Sequence, residues 1–458
     1  MQQDRQQRPN THEGHVRGCL ALADAHGPAA QVALLQRRDD AALREAAAWD
    51  VLGRDGVSPS PLVGKTLAVK ACFDVAGWIT HAGSRVLADD PAATADAPIV
   101  SALRGAGAVL VAQTNMTEFA YGALGLNDTF GTPSTPLYTH GERVSGGSTS
   151  GGAVAVALGI ADVSLGSDTS GSARIPAAFC GVVGFKPSRG RYADAGMLNL
   201  SPSFDVPGIV TSSAATCRQV DAVLMHRLTA EVGTPDTVDP ADWSSRGTIS
   251  TADGLRLVVP ENITGDGVDP SIADTFDKWI ATLAHAGALV IHMPMTCLGE
   301  ASAAAREGGI IPAEAFMLHR ERLQALGHMY DQRVGPRIAA GADVRAHDYA
   351  NGLRRLNALA QKYAAELTRV RADAVLTPSV AILPPRIANL QTMDAYMAAN
   401  MQAFRLTEYA NRLDLPSISV PGDLADRRPI GLLITGRRGH DSRLLDVAVQ
   451  IERTLSQH

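Results

Sequence analysis

At 458 residues, 45% hydrophobic and 19% charged, the chain is long enough to bury a large core, and its composition excludes an intrinsically disordered protein. Forty-one basic residues against 47 acidic ones leave a net charge of −6 with no basic stripe, which argues against nucleic acid as a direct ligand. The longest notable run of small apolar residues, Ala153 to Ala161, is far shorter than the ~20 residues a spanning helix needs, so no membrane span is expected.

Met1 to Thr11 is polar and rich in Gln and Arg, lacks the apolar stretch of a secretory signal, and reads as a frayed tail. Five scattered cysteines, Cys19, Cys72, Cys180, Cys217 and Cys297, form no C-x-x-C pair; reduced thiols in a cytoplasmic protein are expected. From Leu62 to Arg191 short apolar runs alternate with helical patterns, as in an α/β core with a central sheet. Lys65 to Lys70 reads as a strand ending at a lysine, Ala97 to Gly105 as a helix stopped by glycine, and Ala108 to Ala112 as a buried strand; a new segment starts over Asn115 to Gly122. Val163 to Leu165 and Val182 to Phe185 are short strands flanked by glycine.

Thr229 to Gly254, rich in Thr, Asp, Pro, Ser and Gly, reads as a surface loop or linker. Gly254 to Val259 is a strand, Ser271 to Ala286 a helix stopped by Gly287, and Ala288 to His292 the strand it leads into. Ala313 to Ala364 and Met393 to Arg412 are predominantly helical and free to form a lid or pocket wall. Ala374 to Thr377, Ser417 to Val420 and Pro429 to Thr435 read as returning strands, and a last helix spans Ser442 to Leu455. No repeat of 20 to 50 residues occurs.

Two segments concentrate unusual chemistry. Ser145 to Gly152, S-G-G-S-T-S-G-G, removes side chains at four glycines, so the backbone can bend sharply and approach another group closely. A phosphate cradle is the competing reading, but no Lys-Ser or Lys-Thr pair follows at P-loop spacing and no acidic residue completes a dinucleotide fingerprint. Gly166 to Gly181, G-S-D-T-S-G-S-A-R-I-P-A-A-F-C-G, sets Ser167, Thr169, Ser170 and Ser172 beside Asp168 and Arg174 in apolar surroundings, where polar groups must be hydrogen-bonded or functional. Each segment alone reads equally well as hydroxyls capping turns, and Lys70 alone as a lysine snorkelling from a strand end. A serine nucleophile needs a base within hydrogen-bond reach. The chain has no G-x-S-x-G elbow, and its histidines form no H-E-x-x-H or other ligand-like pair near the glycine loops, which disfavours a His-based hydrolase and a zinc hydrolase. A buried lysine can serve as the base if burial holds it neutral.

Together, K-T-L-A-V-K ending at Lys70, the G-G-S loop at Ser148 and D-T-S-G-S-A-R-I-P-A-A-F-C-G-V-V-G-F-K-P resemble the signature of the amidase signature family, strongly over Leu62 to Arg191 and in outline elsewhere. The resemblance implies an α/β fold with a central mixed β-sheet covered by helices on both faces. It is read as one domain over residues 1–458, with residues 62–191 as its core and a helical region over about 260–415 shaping the substrate pocket. It implies hydrolysis of an amide bond through an acyl-enzyme, releasing ammonia or an amine. Ser172 would be the nucleophile, Ser148, 24 positions earlier and preceded by a cis peptide bond, the proton bridge, and Lys70 the base. Backbone N–H groups of Thr169, Ser170, Gly171 and Ser172 would form the oxyanion hole, and Asp168 and Arg174 would support the loops. Met116, Phe119 and Tyr121 are candidates for the substrate wall. No cofactor or metal is required. A small-molecule amide is the expected ligand, with no direct nucleic-acid or membrane partner, and a homodimer is the expected assembly. Ala71, Ala173 and Ser145 depart from residues frequent in the family and bear on substrate preference. Alternatives are the glutamine-amidase component of a tRNA-dependent amidotransferase, a hydrolase of small ureas or carbamates of the biuret or allophanate type, and a non-catalytic binding protein; retention of all three triad residues argues against the last.

Overall fold

The computed structural model describes residues 11–56, 58, 60–138, 142–232, 249, 251–265, 267–422 and 429–457. The tail expected at the N-terminus lies outside these residues apart from Thr11, as does most of the expected linker. The first residues of that linker, through Val232, instead end a helix, Ala214–Val232.

Eleven strands form one mixed sheet: β1 (Leu34–Arg37), β2 (Thr66–Lys70), β3 (Val109–Thr114), β4 (Val163–Asp168), β5 (Val183–Lys186), β6 (Val206–Thr211), β7 (Arg256–Pro260), β8 (Leu289–Met293), β9 (Ala374–Pro378), β10 (Ser417–Pro421) and β11 (Gly431–Thr435), in the order β1-β3-β2-β4-β6-β5-β10-β11-β9-β7-β8. Parallel pairing joins β2 to β3 and β4, and β7 to β8 and β9, while the middle of the sheet is antiparallel. β1 and β6 are unanticipated by the sequence pattern; the other nine fall where short apolar runs predict them, displaced by up to three residues at their ends.

Successive residues of a strand face opposite sides, and the apolar clusters follow that rule. Leu67 and Val69 of β2, Ile209 of β6 and Leu432 and Ile434 of β11 belong to one core, under helices Ala214–Val232 and Asp441–Leu455. Ala68 and Val210 face a second core, with helix Ser150–Ala157, and Val375 and Leu433 a third, with helices Thr296–Glu307 and Ala346–Val370. Lys70 shares the side of Ala68. It therefore points from the end of β2 toward the glycine-rich loop that enters helix Ser150–Ala157.

One ion pair ties the N-terminal helix His12–Ala25 to the start of this half-sheet. Asp162 accepts from His15 Nε2 at 2.6 Å and from the Thr66 N–H and hydroxyl at 2.9 and 3.1 Å, with Lys65 Nζ at 3.6 Å. The bond to Asp162 raises His15 to about 10, so its stabilisation is complete below the ordinary 6.5 and fades as pH rises through about 10. Burial pushes Asp162 up, but His15 and Lys65 outweigh it and hold it at about 2, so its share is present above 3.8 and is lost as pH falls through about 2. Asp162→Asn is expected to lower unfolding free energy by about 2 kcal/mol at pH 6 in urea denaturation. The deficit should narrow toward pH 10; a deficit independent of pH would remove the ion pair as its source.

Candidate active site

Three segments distant in sequence meet at the end of β2 and β4. Lys70 is fully buried, and its Nζ donates to Ser148 Oγ at 2.7 Å and to Ser167 Oγ at 2.8 Å. Burial lowers Lys70 to about 8 from an ordinary 10.5, against the opposing pull of the nearby Cys72, Asp168 and Asp205. About a tenth of it is therefore neutral at pH 7, against well under a thousandth for an ordinary lysine.

Ser148 follows a cis peptide bond from Gly147. Its own carbonyl accepts from the Thr117 N–H at 3.2 Å, and the Gly147 N–H donates to the Ala123 carbonyl at 2.6 Å, so the loop is pinned on both sides. A Cβ at Gly147 would lie 2.6 Å from both the Gly125 nitrogen and Thr117 Oγ1, which is why this position needs glycine.

Ser172 lies in the loop between β4 and helix Arg174–Cys180. Its Oγ is buried without a hydrogen-bond partner among the described residues, and its carbonyl accepts from the Thr149 N–H at 3.1 Å. The two expected triad loops are thus joined through the backbone, while the hydroxyl of the expected nucleophile is uncommitted. Ser167, prominent in the sequence only as one hydroxyl among four, is the second partner of Lys70.

Asp168 and Arg174 form a fully buried, two-pronged ion pair, Nε to Oδ2 at 3.0 Å and Nη2 to Oδ1 at 2.9 Å. Burial alone would raise Asp168, but Arg174 and Asn411 hold it at about 2. The carboxylate also takes the N–H groups of Gly171 at 2.8 Å and Ala173 at 3.1 Å, folding the loop around itself. Gly171, expected among the oxyanion donors, therefore has its N–H committed to Asp168. The N–H groups of Thr169, Ser170 and Ser172 meet no acceptor among the described residues. Gly171 has φ +132°, and a Cβ there would lie 2.2 Å from Thr407 Oγ1, so its contribution is backbone conformation and close packing.

Thr407 and the short helix Glu408–Arg412, some 240 residues later, hold the loop from outside. Thr407 Oγ1 donates to the Ser170 carbonyl at 2.7 Å, Arg412 donates to the Thr169 carbonyl at 3.1 Å and to Ser170 Oγ at 2.8 Å, and Asn411 Nδ2 donates to Asp168. From the other side Thr169 Oγ1 donates to Asp205 at 2.5 Å, a carboxyl raised by burial to about 6. None of Thr407, Asn411, Arg412 or Asp205 carries a local sequence signal.

A cavity of about 360 Å³ opens onto Thr169, Ser170 and Ser172 and is walled by Ala120, Tyr121, Leu200, Ile311, Met397 and Phe404, with Arg306, Arg337, Glu408 and Arg412 as its charged groups. Of the expected wall residues only Tyr121 lines it. Met116 and Phe119 do not: both are buried in the core, and Phe119, in a left-handed turn with φ +49°, packs its ring on His319 at 4.3 Å and Tyr330 at 5.3 Å. Among the described residues, metal-type ligands converge only at His15, Cys19 and Asp162, none of which lines this cavity. All five cysteines are free and buried. No described helix is long and apolar enough to cross a membrane.

The family profile described as Amidase matches residues 19–445. The chain is 34% identical to the 2-amino-5-chloromuconic acid deaminase of Comamonas testosteroni over 90% of this chain and 86% of that one. It is 31% identical to a glutamyl-tRNA(Gln) amidotransferase subunit of Halobacterium salinarum over 87% and 97%, respectively. A crystal structure of an amidase superposes with a TM-score of 0.82 at 28% identity, covering 97% of this chain and 96% of that one.

Proposed function

The chain belongs to the amidase family and is an amidohydrolase of carbon–nitrogen bonds; from that premise we propose that Lys70, Ser148 and Ser172 are its catalytic triad. The observation that carries this reading is the buried lysine, brought down to about 8 and hydrogen-bonded to Ser148 beside an uncommitted Ser172 hydroxyl that opens on the cavity. Neutral Lys70 takes the Ser148 proton as Ser148 takes that of Ser172, and Ser172 Oγ attacks the carbonyl carbon. The relay closes when the Ser172 hydroxyl turns onto Ser148 with substrate bound, since catalytic hydrogen bonds are commonly looser without it. Thr169, Ser170 and Ser172 N–H groups receive the developing oxyanion, each such donor contributing about 3 kcal/mol to the barrier reduction. Ser148 then protonates the leaving nitrogen. The amine departs, and water activated by the same relay cleaves the acyl-enzyme.

One domain fits the continuous sheet and the family match from residue 19 to 445, with helices Thr296–Glu307, Ile310–Leu326 and Met393–Phe404 shaping the pocket. Five free, buried thiols support a cytoplasmic location and cavity size a small-molecule substrate. The likeness to an amidotransferase component favours one other reading, ammonia release from glutamine for a partner, which a glutaminase assay and co-elution with such a partner would reveal.

An active-site fluorophosphonate is expected to label Ser172, and peptide mapping that places the label elsewhere would reassign the nucleophile. Because Lys70 must be neutral to act as base, kcat/KM should climb tenfold per pH unit at low pH and level off above about 8. A flat profile between pH 6 and 9 would remove Lys70 from that role.

A further inference from the structure

Helix Met393–Phe404 presents Met397, Asn400, Met401 and Phe404 to the cavity beside Ser172, at the three- and four-residue spacing of one helix face. The others are apolar, as a cavity wall requires. Asn400 stands in the middle of that face with only 2% of its surface exposed. Its Oδ1 accepts from the Ala123 N–H at 2.8 Å, 277 positions away in sequence. The fit there is close, since a Cβ at the neighbouring Gly122 would lie 2.6 Å from the Tyr396 hydroxyl and 3.7 Å from Asn400 Oδ1. Because an N–H donor demands the oxygen, the orientation of the carboxamide is fixed and its Nδ2 is turned away from Ala123. Nδ2 meets no acceptor among the described residues.

We propose that Asn400 is a specificity-determining residue whose Nδ2 donates to a substrate oxygen other than that of the scissile amide, so that the substrate class is a small amide carrying a second carbonyl. The inference rests on Ser172 as nucleophile, because that places the scissile bond in this cavity and assigns its oxygen to the N–H groups of Thr169, Ser170 and Ser172. Bracing Ala123 uses only the oxygen of the carboxamide, and its N–H groups are left for a ligand. A substrate that sets hydrocarbon against Nδ2 displaces the water there and strands a buried donor, whereas a carbonyl takes the place of that water. Met397 and Phe404, about a turn to either side, offer no strong acceptor in its stead. The anchor at Ala123 holds the donor in place before binding, which reduces the ordering cost. A volume of about 360 Å³ restricts the class to short chains, with the second carbonyl a few bonds from the first.

The Ala123 carbonyl accepts from the Gly147 N–H, so a change at Asn400 also reaches the Ser148 loop, and the test therefore reads a ratio between matched substrates. It uses straight-chain primary amides of increasing length that end in a methyl ketone, each paired with the isostere in which a methylidene group replaces the ketone oxygen, reading ammonia release. Both members of a pair are uncharged, so the guanidinium groups of the cavity act alike on them. At the best length the wild type is expected to favour the ketone by roughly 10- to 10²-fold in kcat/KM. Asn400→Leu should bring that ratio close to one. Asn400→Asp keeps the shape and the acceptor for the Ala123 N–H, and at pH 8 it should abolish or reverse the preference, because a carboxylate oxygen then faces the ketone. Calorimetry on Ser172→Ala should register binding of the ketone amide, and adding Asn400→Asp should weaken it by a similar factor. Wild-type turnover that does not distinguish the pair at any length would overturn the assignment. A loss in Asn400→Asp that is the same for both members would overturn it too, leaving Asn400 as a brace of Ala123 alone. Turnover persisting in Ser172→Ala would overturn the triad instead, and the ketone-to-isostere ratio would still report on Asn400.

Discussion

Ser172→Ala is expected to lower kcat for a responsive amide by roughly 10³-fold or more, with folding intact, because it deletes the atom that bonds to the carbonyl and leaves the oxyanion donors in place. The side chain loses only an oxygen that has no partner, so the native packing has nothing to compensate. Lys70→Met should cost as much. Methionine fills the volume of the buried stem while supplying no base, and Lys70→Arg should not rescue, since a guanidinium stays charged at any working pH. The double variant should be little worse than either single one, because the residues act as one relay. Near-normal turnover in Lys70→Met with Ser172 still labelled by a fluorophosphonate would show that another group is the base.

Asp168→Ala is the second large effect, and it separates support from chemistry. Removing the carboxylate strands the Arg174 charge in a fully buried site, a loss of about 3 to 5 kcal/mol of stability by the behaviour of broken buried pairs. It also releases the Gly171 and Ala173 N–H groups that wrap the loop, misplacing the donors of Thr169, Ser170 and Ser172. Activity should fall roughly 10²- to 10³-fold even where the variant is folded. Replacing both partners with apolar residues, Asp168→Leu with Arg174→Met, should recover much of the stability and little of the activity, since no group then receives the two backbone N–H bonds. Recovery of both together would mean that the ion pair matters only for folding.

The site was legible in the sequence to the extent that it is local. Lys70 announces itself as a lysine ending an apolar strand, and Ser148 and Ser172 as hydroxyls among glycines whose absent side chains let backbone segments touch. Asp168 and Arg174 sit within the same short run, and an ion pair between them is a local event at the start of a helix. Thr407, Asn411 and Arg412 are different. Their roles depend on where the fold brings helices from the far half of the chain, and nothing in their immediate neighbours distinguishes them from surface residues. Met116 and Phe119 do not line the cavity; at Phe119 and Ala120 a left-handed turn, positive φ at non-glycine positions, sends the Phe119 ring into the core and leaves Ala120 and Tyr121 at the cavity. β6 escaped notice because V-P-G-I-V-T contains the two residues that most weaken a strand, yet it is buried in mid-sheet between β4 and β5.

The short helix after Thr407 that buttresses the Ser172 loop bears on how the protein is made. A ribosome delivers Ser172 and its loop long before the residues that brace them, 237 positions separating Ser170 from Thr407. Throughout that interval the growing chain carries Ser172 without the brace that holds its loop. Under the proposed triad, competence therefore waits for residues 407–412, and fragments truncated ahead of residue 407 should hold Lys70, Ser148 and Ser172 yet remain inert.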